Sequence, residues 1–595
     1  MRPRSYSKVR FADSLIRGQA YIALWPKCAE ADAAIVQSTA LTPAIPSRRL
    51  DGRPKFLSAD SLADRYPWRG FALLSALYLI VAAGMSATKL LWLDELITLH
   101  IARLGSAGAI WGALNSGADP NPPGFHLLVM VFRDLFGEHA FVLRLPAVIG
   151  YWVGMLALFL FLKRRVPALW AIAGTLLSLA MGGFGWSYES RSYALFYGAT
   201  MLALYCWTRH ADEFVSTRTR YVALAGMTLS LAAGLCMNFF AVLAFFPIAA
   251  AEIIRTIQRV QDRGPFRFAM LALTIDWPVV FALAVAATPL LLFHNLIATS
   301  ILHFAPYAWN KVGIGAVISG YTDMVAEVMW PLLALLGITF AVELLRKLPS
   351  GLPTGVPPWL ANFITDPSPM RRARLLDYPE AAAVGTLIAY PFLGYALASF
   401  RGGMLSARFV IPVCFGAAIA GTLFAYRLFG SCRFGASIAV VLALLWFSSR
   451  QWYIAHLYEM QKHALFDLIQ HIPPPDYPGQ PVAFGDDLIV LPLEYYASPQ
   501  LASRILYPVD FPAILRARGE ASAETNFWDG RDNIYKFPII PLAALQRTAR
   551  TYLIVTGQRD WLVKDLIKHH YPVEPLPIET PGVVMDEAGT PLGHG

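Results

Sequence analysis

Residues 71–90 read FALLSALYLIVAAGMSATKL, with Lys89 the only charged side chain among them. A helix rises about 1.5 Å per residue, so a run of this length covers the roughly 30 Å of a bilayer's hydrocarbon. It is too long for a signal-peptide core and lacks a cleavage site, so it reads as an uncleaved first span. Further apolar runs recur near 143–162, 167–186, 191–207, 221–237, 239–254, 268–293, 325–345, 381–399, 408–426 and 434–449. The expected fold class is therefore an α-helical polytopic membrane protein with about 11 transmembrane helices.

Composition agrees. Of 595 residues, 56% are apolar and only 15% charged, where soluble domains carry about 25% charged residues. Mean hydropathy is +0.48. Soluble, fibrous, disordered and disulfide-scaffold classes are excluded together. The net charge of +9 does not point to nucleic acid, because the basic residues fall in short loops between apolar runs. Lys163 to Arg165, then Arg209, Arg218 and Arg220, then Arg255, Arg259, Arg263 and Arg267, then Arg346, Lys347, Arg371, Arg372 and Arg374, then Arg427 and Arg433 occupy every second loop. The positive-inside rule puts those loops and the N-terminus in the cytoplasm and the C-terminal tail outside. None of Cys28, Cys206, Cys236, Cys414 and Cys432 then falls in the exported tail, and no disulfide framework is expected.

Three regions follow. Residues 1–69 are a polar cytoplasmic extension, 70–450 a transmembrane domain, and 451–595 a small exported α/β domain. In that tail Val482–Phe484 and 551–556 read as strands, 561–569 as a short helix, and 456–471 has helical period. Residues 122–136, PPGFHLLVMVFRDLF, are too short to cross; crossing would also move Lys163 to Arg165 outside. They read as an interfacial helix in the first outer loop.

The residues able to do chemistry lie at the outer ends of the spans. Asp94 and Glu95 follow the first span, where an acidic pair ordinarily caps a helix. Asp119, Asn121, Pro122 and Pro123 form a rigid turn before the interfacial helix, which also carries His126. Glu189, Arg191 and Tyr193 stand at the junction of the third and fourth spans, where a local ion pair is the common meaning. Arg408 opens the tenth span. An arginine on the outer side needs an anionic partner. Four loops far apart in sequence thus bring carboxylates and guanidinium groups to one membrane face. The set suits a reaction between a lipid-phosphate donor and a hydroxyl acceptor.

The strings LLWLDELITLHIA (90–102), NPPGFHLL (121–128), LFGEHAFVLRLPAVIG (135–150), SYESRSYAL (187–195) and SARFVIP (406–412), in this order, resemble the membrane GT-C glycosyltransferases. The likeness is to the bacterial branch related to protein O-mannosyltransferases and lipid A aminoarabinose transferases, over roughly residues 70–425. Asn121 stands where relatives often carry His or Lys, and Gly124, Phe125 and His126 where they usually carry Leu and aromatics. The resemblance implies transfer of a sugar from a polyprenyl-phosphate donor to an acceptor hydroxyl on a glycan, lipid or protein, with inversion, at the outer face of a bacterial inner membrane. No nucleic acid takes part, and membrane lipids surround the protein. It makes Asp94 the general base, with Glu95 and Glu189 positioning the acceptor or, in some relatives, holding a divalent cation (Mg2+ or Mn2+). It makes Arg191 and Arg408 the donor-phosphate ligands, with Asp119, Asn121, Tyr193 and His126 positioning substrate. A phosphate leaving group needs no general acid, only stabilisation of its charge.

His100, His126, His294 and His303 lack metal-ligand spacing, so no metal ligand is assigned. Asp486, Asp487 and Glu494 in the tail read as a solvated face or helix cap. A transporter or lipid flippase is the alternative, but it would place ionisable groups near mid-span. Only Asp276, beside Trp277 and Pro278, is so placed. A membrane scaffold would leave the outer charges without purpose.

Overall fold

A computed structural model describes residues 62–263, 272–309, 311–346, 375–401, 403–430, 434–472, 479–549, 551–557 and 559–576, with isolated positions between 357 and 364 and at 584–585 and 591–592. The N-terminal extension up to residue 61, and Cys28, Arg267, Lys347, Arg371, Arg372, Arg374, Cys432 and Arg433, lie outside the described residues.

Among the described residues, six helices are long and apolar enough to cross a membrane: Pro67–Thr88, Ala140–Lys163, Thr217–Met237, Phe239–Asp262, Ile314–Val342 and Gly435–His471. Three further apolar stretches are bent helix pairs, Ala168–Leu179 with Gly182–Tyr188, Trp277–Leu292 with His294–Tyr307, and Tyr378–Ile388 with Tyr390–Phe400, turned by 76°, 64° and 63°. The helices Tyr193–Ala211 and Val413–Phe429 complete the set of apolar runs. Each expected run is thus helical where it is described.

Close packing has a local cause. Gly150 and Gly154 lie one turn apart on the Ala140–Lys163 helix and meet Gly198 of the Tyr193–Ala211 helix. A Cβ on Gly198 would fall 2.0 Å from the Gly150 carbonyl oxygen. Small residues at this spacing let helix backbones touch where lipid gives no hydrophobic drive. Tyr78, Tyr151 and Tyr197 stack beside them, and the Tyr78 hydroxyl donates to the Val148 carbonyl at 2.8 Å.

The basic loops meet at one end: Arg164 pairs with Asp212 at 2.8 Å and Arg165 with Glu380. Asp276 also lies there, 3.5 Å from His210 and 3.2 Å from Arg255, so it marks no mid-membrane site.

The segment between the first span and the Ala140–Lys163 helix folds into the helices Leu93–Ala102, Ala107–Asn115 and Pro123–Phe136. The tail holds four parallel strands, Val482–Phe484 (β1), Ile505–Val509 (β2), Ile539–Pro541 (β3) and Leu553–Val555 (β4), in the order β3-β2-β1-β4. Val482 is in register with both Ile505 and Leu553. The Gly435–His471 helix runs unbroken through residue 450, where the composition changes. Leu96, Phe125 and Val129 of this segment share one core with Phe484, Val490 and Trp561 of the tail.

Candidate active site

Each chemical residue sits where a helix begins or a chain turns. The first span ends at Thr88, the chain extends to Trp92, and Asp94 and Glu95 then occupy the first turn of the Leu93–Ala102 helix. Carboxylates are favoured there by the helix's free N–H groups. Asp119 Oδ1 accepts from the Asn121 backbone N–H at 2.8 Å and from its side-chain amide at 2.6 Å. This clamps the turn before Pro123, whose missing N–H costs nothing at a helix start. Arg191 follows the short 3-10 turn Gly182–Tyr188, and Arg408 lies in the 3-10 turn Ala407–Val410.

These four segments converge. Arg408 Nη1 donates to Asp94 Oδ2 at 2.7 Å. Arg191 Nε lies 3.7 Å from the same oxygen, while its Nη1 donates to Asp119 Oδ2 at 3.0 Å, to Thr98 Oγ1 at 3.0 Å and to the Asp94 carbonyl at 3.2 Å. The Tyr193 ring lies 5.4 Å from the Arg408 guanidinium carbon and 6.0 Å from that of Arg191, and Trp309 flanks Arg408 at 5.6 Å. Asp119 is buried, which opposes its charge, but Arg191 and His126 outweigh burial and hold its carboxyl far below the usual range.

The cluster opens on a cavity of about 570 Å³ lined by Asp94, Asp119, Asn121, Arg191, Tyr193 and Arg408. Much of the remaining wall is apolar, including Phe240 and Phe409, which stack 4.1 Å apart. Asn238 also lines it; its side chain donates to Ser192 Oγ at 3.1 Å.

Glu95, Glu189 and His126 do not line this cavity. Glu95 is 1% exposed and is gripped by Arg144, through Nε at 2.8 Å and Nη2 at 2.7 Å, and by the Ser190 N–H at 2.6 Å. Burial works against its charge, but Arg144 prevails and lowers its pKa. Arg144 also donates to the carbonyls of Ser86, Lys89 and Leu90, which closes the end of the first span. Glu189 pairs with Lys89; burial, reinforced by nearby Glu95, still raises its pKa. With one carboxylate committed to Arg144 and the other to Lys89, the pair does not fit a divalent cation. Among the described residues no group of three His, Cys, Asp or Glu side chains is placed to hold a metal. His126 Nε2 stands 3.8 Å behind Asp119 Oδ2.

The other histidines have separate settings. His100 Nε2 is 3.6 Å from Glu494, His303 Nε2 is 2.5 Å from Asp529, and His294 Nδ1 is 2.9 Å from the Leu291 carbonyl. The tail acids are not a solvated face. Asp486 caps the Asp487–Tyr496 helix, but Asp487 is buried and paired with Arg518 at 2.5 Å and Arg559 at 3.3 Å.

Arg144, Lys89, Asn238 and Trp309 were not legible as site residues. Arg144 carried one signal, a lone charge at the entrance of an apolar span.

Residues 120–282 match the family model described as dolichyl-phosphate-mannose-protein mannosyltransferase. No curated relative matches the chain. Among solved structures, ArnT from Cupriavidus metallidurans bound to undecaprenyl phosphate is 14% identical over 83% of this chain and 97% of that chain, with a TM-score of 0.47. The same protein in the apo state is 13% identical over the same shares, with a TM-score of 0.33. Over residues 120–282 the chain is therefore similar to the GT-C membrane mannosyltransferases that its motifs resemble.

Proposed function

We propose that this protein transfers a sugar from a polyprenyl-phosphate donor to an acceptor hydroxyl at the outer face of a bacterial inner membrane. One observation carries the reading: Asp94 lines a cavity rich in apolar wall, between two arginines drawn from distant loops. The family match over 120–282 supports the donor class.

In this reading the phosphate engages Arg408 and Arg191, whose planar donors suit its oxygens. Asp94 now shares Arg408. A phosphate that draws Arg408 to itself releases the carboxylate for use as a base. The acceptor oxygen attacks the anomeric carbon from the face opposite the phosphate, and the new C–O bond forms as the old one breaks. The acceptor's proton passes to Asp94, the electron pair leaves with the phosphate, and the configuration inverts. Arg191 is preorganised by Asp119, Thr98 and the Asp94 carbonyl, so it stabilises the departing charge without rearranging. Glu95 and Glu189 act at one remove: with Arg144 and Lys89 they fix the backbone that presents Asp94 and Arg191.

The test is transfer of radiolabelled sugar from polyprenyl-phosphate donors to membrane-extract acceptors by the purified protein. The wild type is expected to transfer, and folded Asp94→Asn to lose about 10²–10⁴-fold in rate. Equal transfer by both would remove Asp94 as the base.

A further inference from the structure

The cavity has a second polar wall that the proposed chemistry does not use. Asp487, Leu488, Ser522, Ala523, Asn526 and Arg559 of the tail line the same space as Asp94 and Arg408. Their place in the tail's own topology is specific. In the sheet order β3-β2-β1-β4 the chain steps outward from β1 to β2 and β3, then returns to lay β4 on the other side of β1. Between β1 and β4 the winding reverses. In open parallel sheets, ligands bind in the crevice beyond the carboxyl ends of the strands at this reversal.

Asp487 and Leu488 follow the carboxyl end of β1, and Arg559 follows that of β4. The two loops are tied together: the Arg559 N–H donates to Asp486 Oδ2 at 3.1 Å and the Trp561 N–H to the Gly485 carbonyl at 3.3 Å. They pack so closely that a Cβ on Gly557 would lie 2.1 Å from Asp486 Oδ2. Arg559 is oriented by Asp487 at 3.3 Å and by Glu520. On the same cavity wall, in the helix Ser522–Gly530, Asn526 Oδ1 is buried without a hydrogen-bond partner, as is expected of a group awaiting a ligand or water.

We infer that this switch-point crevice binds a sugar ring, so that the exported tail forms the sugar-reading half of the transferase site. The inference deepens the proposed glycosyl transfer and rests on it for the ligand being a sugar. The chemistry fits neutral hydroxyls. Each hydroxyl both donates and accepts, and the crevice offers an amide, a hydroxyl and an oriented guanidinium, with Leu488 and Ala523 beside them for the ring's C–H face. A second phosphate does not fit, because Asp486, Asp487 and Glu520 outnumber Arg518 and Arg559. The ring belongs to the donor or to a glycan acceptor, and the two sources are separable.

The experiment uses the full chain in lipid nanodiscs and a panel of methyl glycosides (pentoses, hexoses, amino and N-acetylamino hexoses), with binding read by saturation-transfer NMR. Wild type and Asp94→Asn are expected to bind the same stereochemical class. Asn526→Ala and Arg559→Lys, checked for unchanged thermal midpoint, are expected to weaken it about tenfold. In the transfer assay a donor ring shows as a raised donor KM in Asn526→Ala at unchanged inhibition by bare undecaprenyl phosphate, and an acceptor ring as a raised acceptor KM. No glycoside bound by wild type, or binding unchanged in both tail variants, would overturn the inference. Glycoside binding without any transfer would instead count against the proposed reaction.

Discussion

Asp94 and Glu95 are neighbours in the chain and belong to two different regions. Asp94 borders a cavity and shares one oxygen between Arg408 and Arg191. Glu95, one residue on, is turned away from the cavity into a closed core and is held by both nitrogens of the Arg144 fork and by a backbone N–H. Both are carboxylate–arginine pairs. The first is open, with partners drawn from three loops, and a ligand can compete for it. The second is sealed and replaces the missing hydrogen bonds where the first span stops. Having an anionic partner therefore does not separate the two kinds of arginine here; access to the cavity does.

Breaking the sealed pair has the largest expected effect on the fold. Arg144→Ala leaves Glu95 buried and uncompensated and should cost about 3–5 kcal/mol, read as loss of folded protein by size exclusion and melting. The paired change Arg144→Met with Glu95→Leu should recover only the part owed to charge burial, because the carbonyls of Ser86, Lys89 and Leu90 and the Ser190 N–H stay without their partners. Asp94→Asn should do the reverse, abolishing transfer at an unchanged melting point. If it unfolds the protein and Arg144→Ala does not, the contrast is wrong.

The open pair is sharpened by Arg408→Lys. Charge is kept and the fork is lost, so the donor KM should rise about tenfold, with stability little altered; steady-state kinetics at varied donor distinguish this from a fall in kcat alone.

The smallest expected effect lies in the tail, where carboxylates outnumber cations. Burial, with Asp487 and Glu520 nearby, pushes the Glu524 carboxyl up to about 7, and burial pushes Asp560 up to about 6. Both hold protons in the folded state that the unfolded chain has already released by pH 5. Their contribution to stability is present at low pH and is lost as pH rises from the unfolded values through about 6 to 7, on the order of 3 kcal/mol for Glu524. Tail melting, followed by tryptophan fluorescence, should fall between pH 5 and 7.5. Glu524→Gln should flatten that slope, because the amide oxygen still accepts from Arg518 and Tyr507.

The spans were legible because hydrocarbon demands one thing of a sequence, a long apolar run; 143–162 became the Ala140–Lys163 helix. The open half of the site was legible for a related reason. Asp94, Asp119, Arg191 and Arg408 are charges at or between the ends of apolar runs, and the cost of burying a lone charge in hydrocarbon brings such groups together. The sealed half was not. Nothing in the order of residues says that Arg144 turns back to the carbonyls of residues 86–90, because that is decided by helix packing. Asp486 is the helix cap its position suggests, but Asp487 is no solvated face for the same reason: it meets Arg559 across 72 positions, a pairing set by strand order and invisible to local charge patterning.

The helix Gly435–His471 adds a constraint of phase. Tyr458, 5.4 Å from Lys89, marks the level at which the helix passes the end of the first span. The 13 residues from there to His471 rise about 20 Å and turn about 100° each. The tail is thus mounted on a threaded post, and its facing and its height are coupled to the same screw. One inserted residue would turn the sugar crevice roughly a quarter-turn off the arginines while lifting it only about 1.5 Å. Seven would bring it back within about 20° and leave it some 10 Å too high. Length variation in this helix is therefore quantised by its pitch.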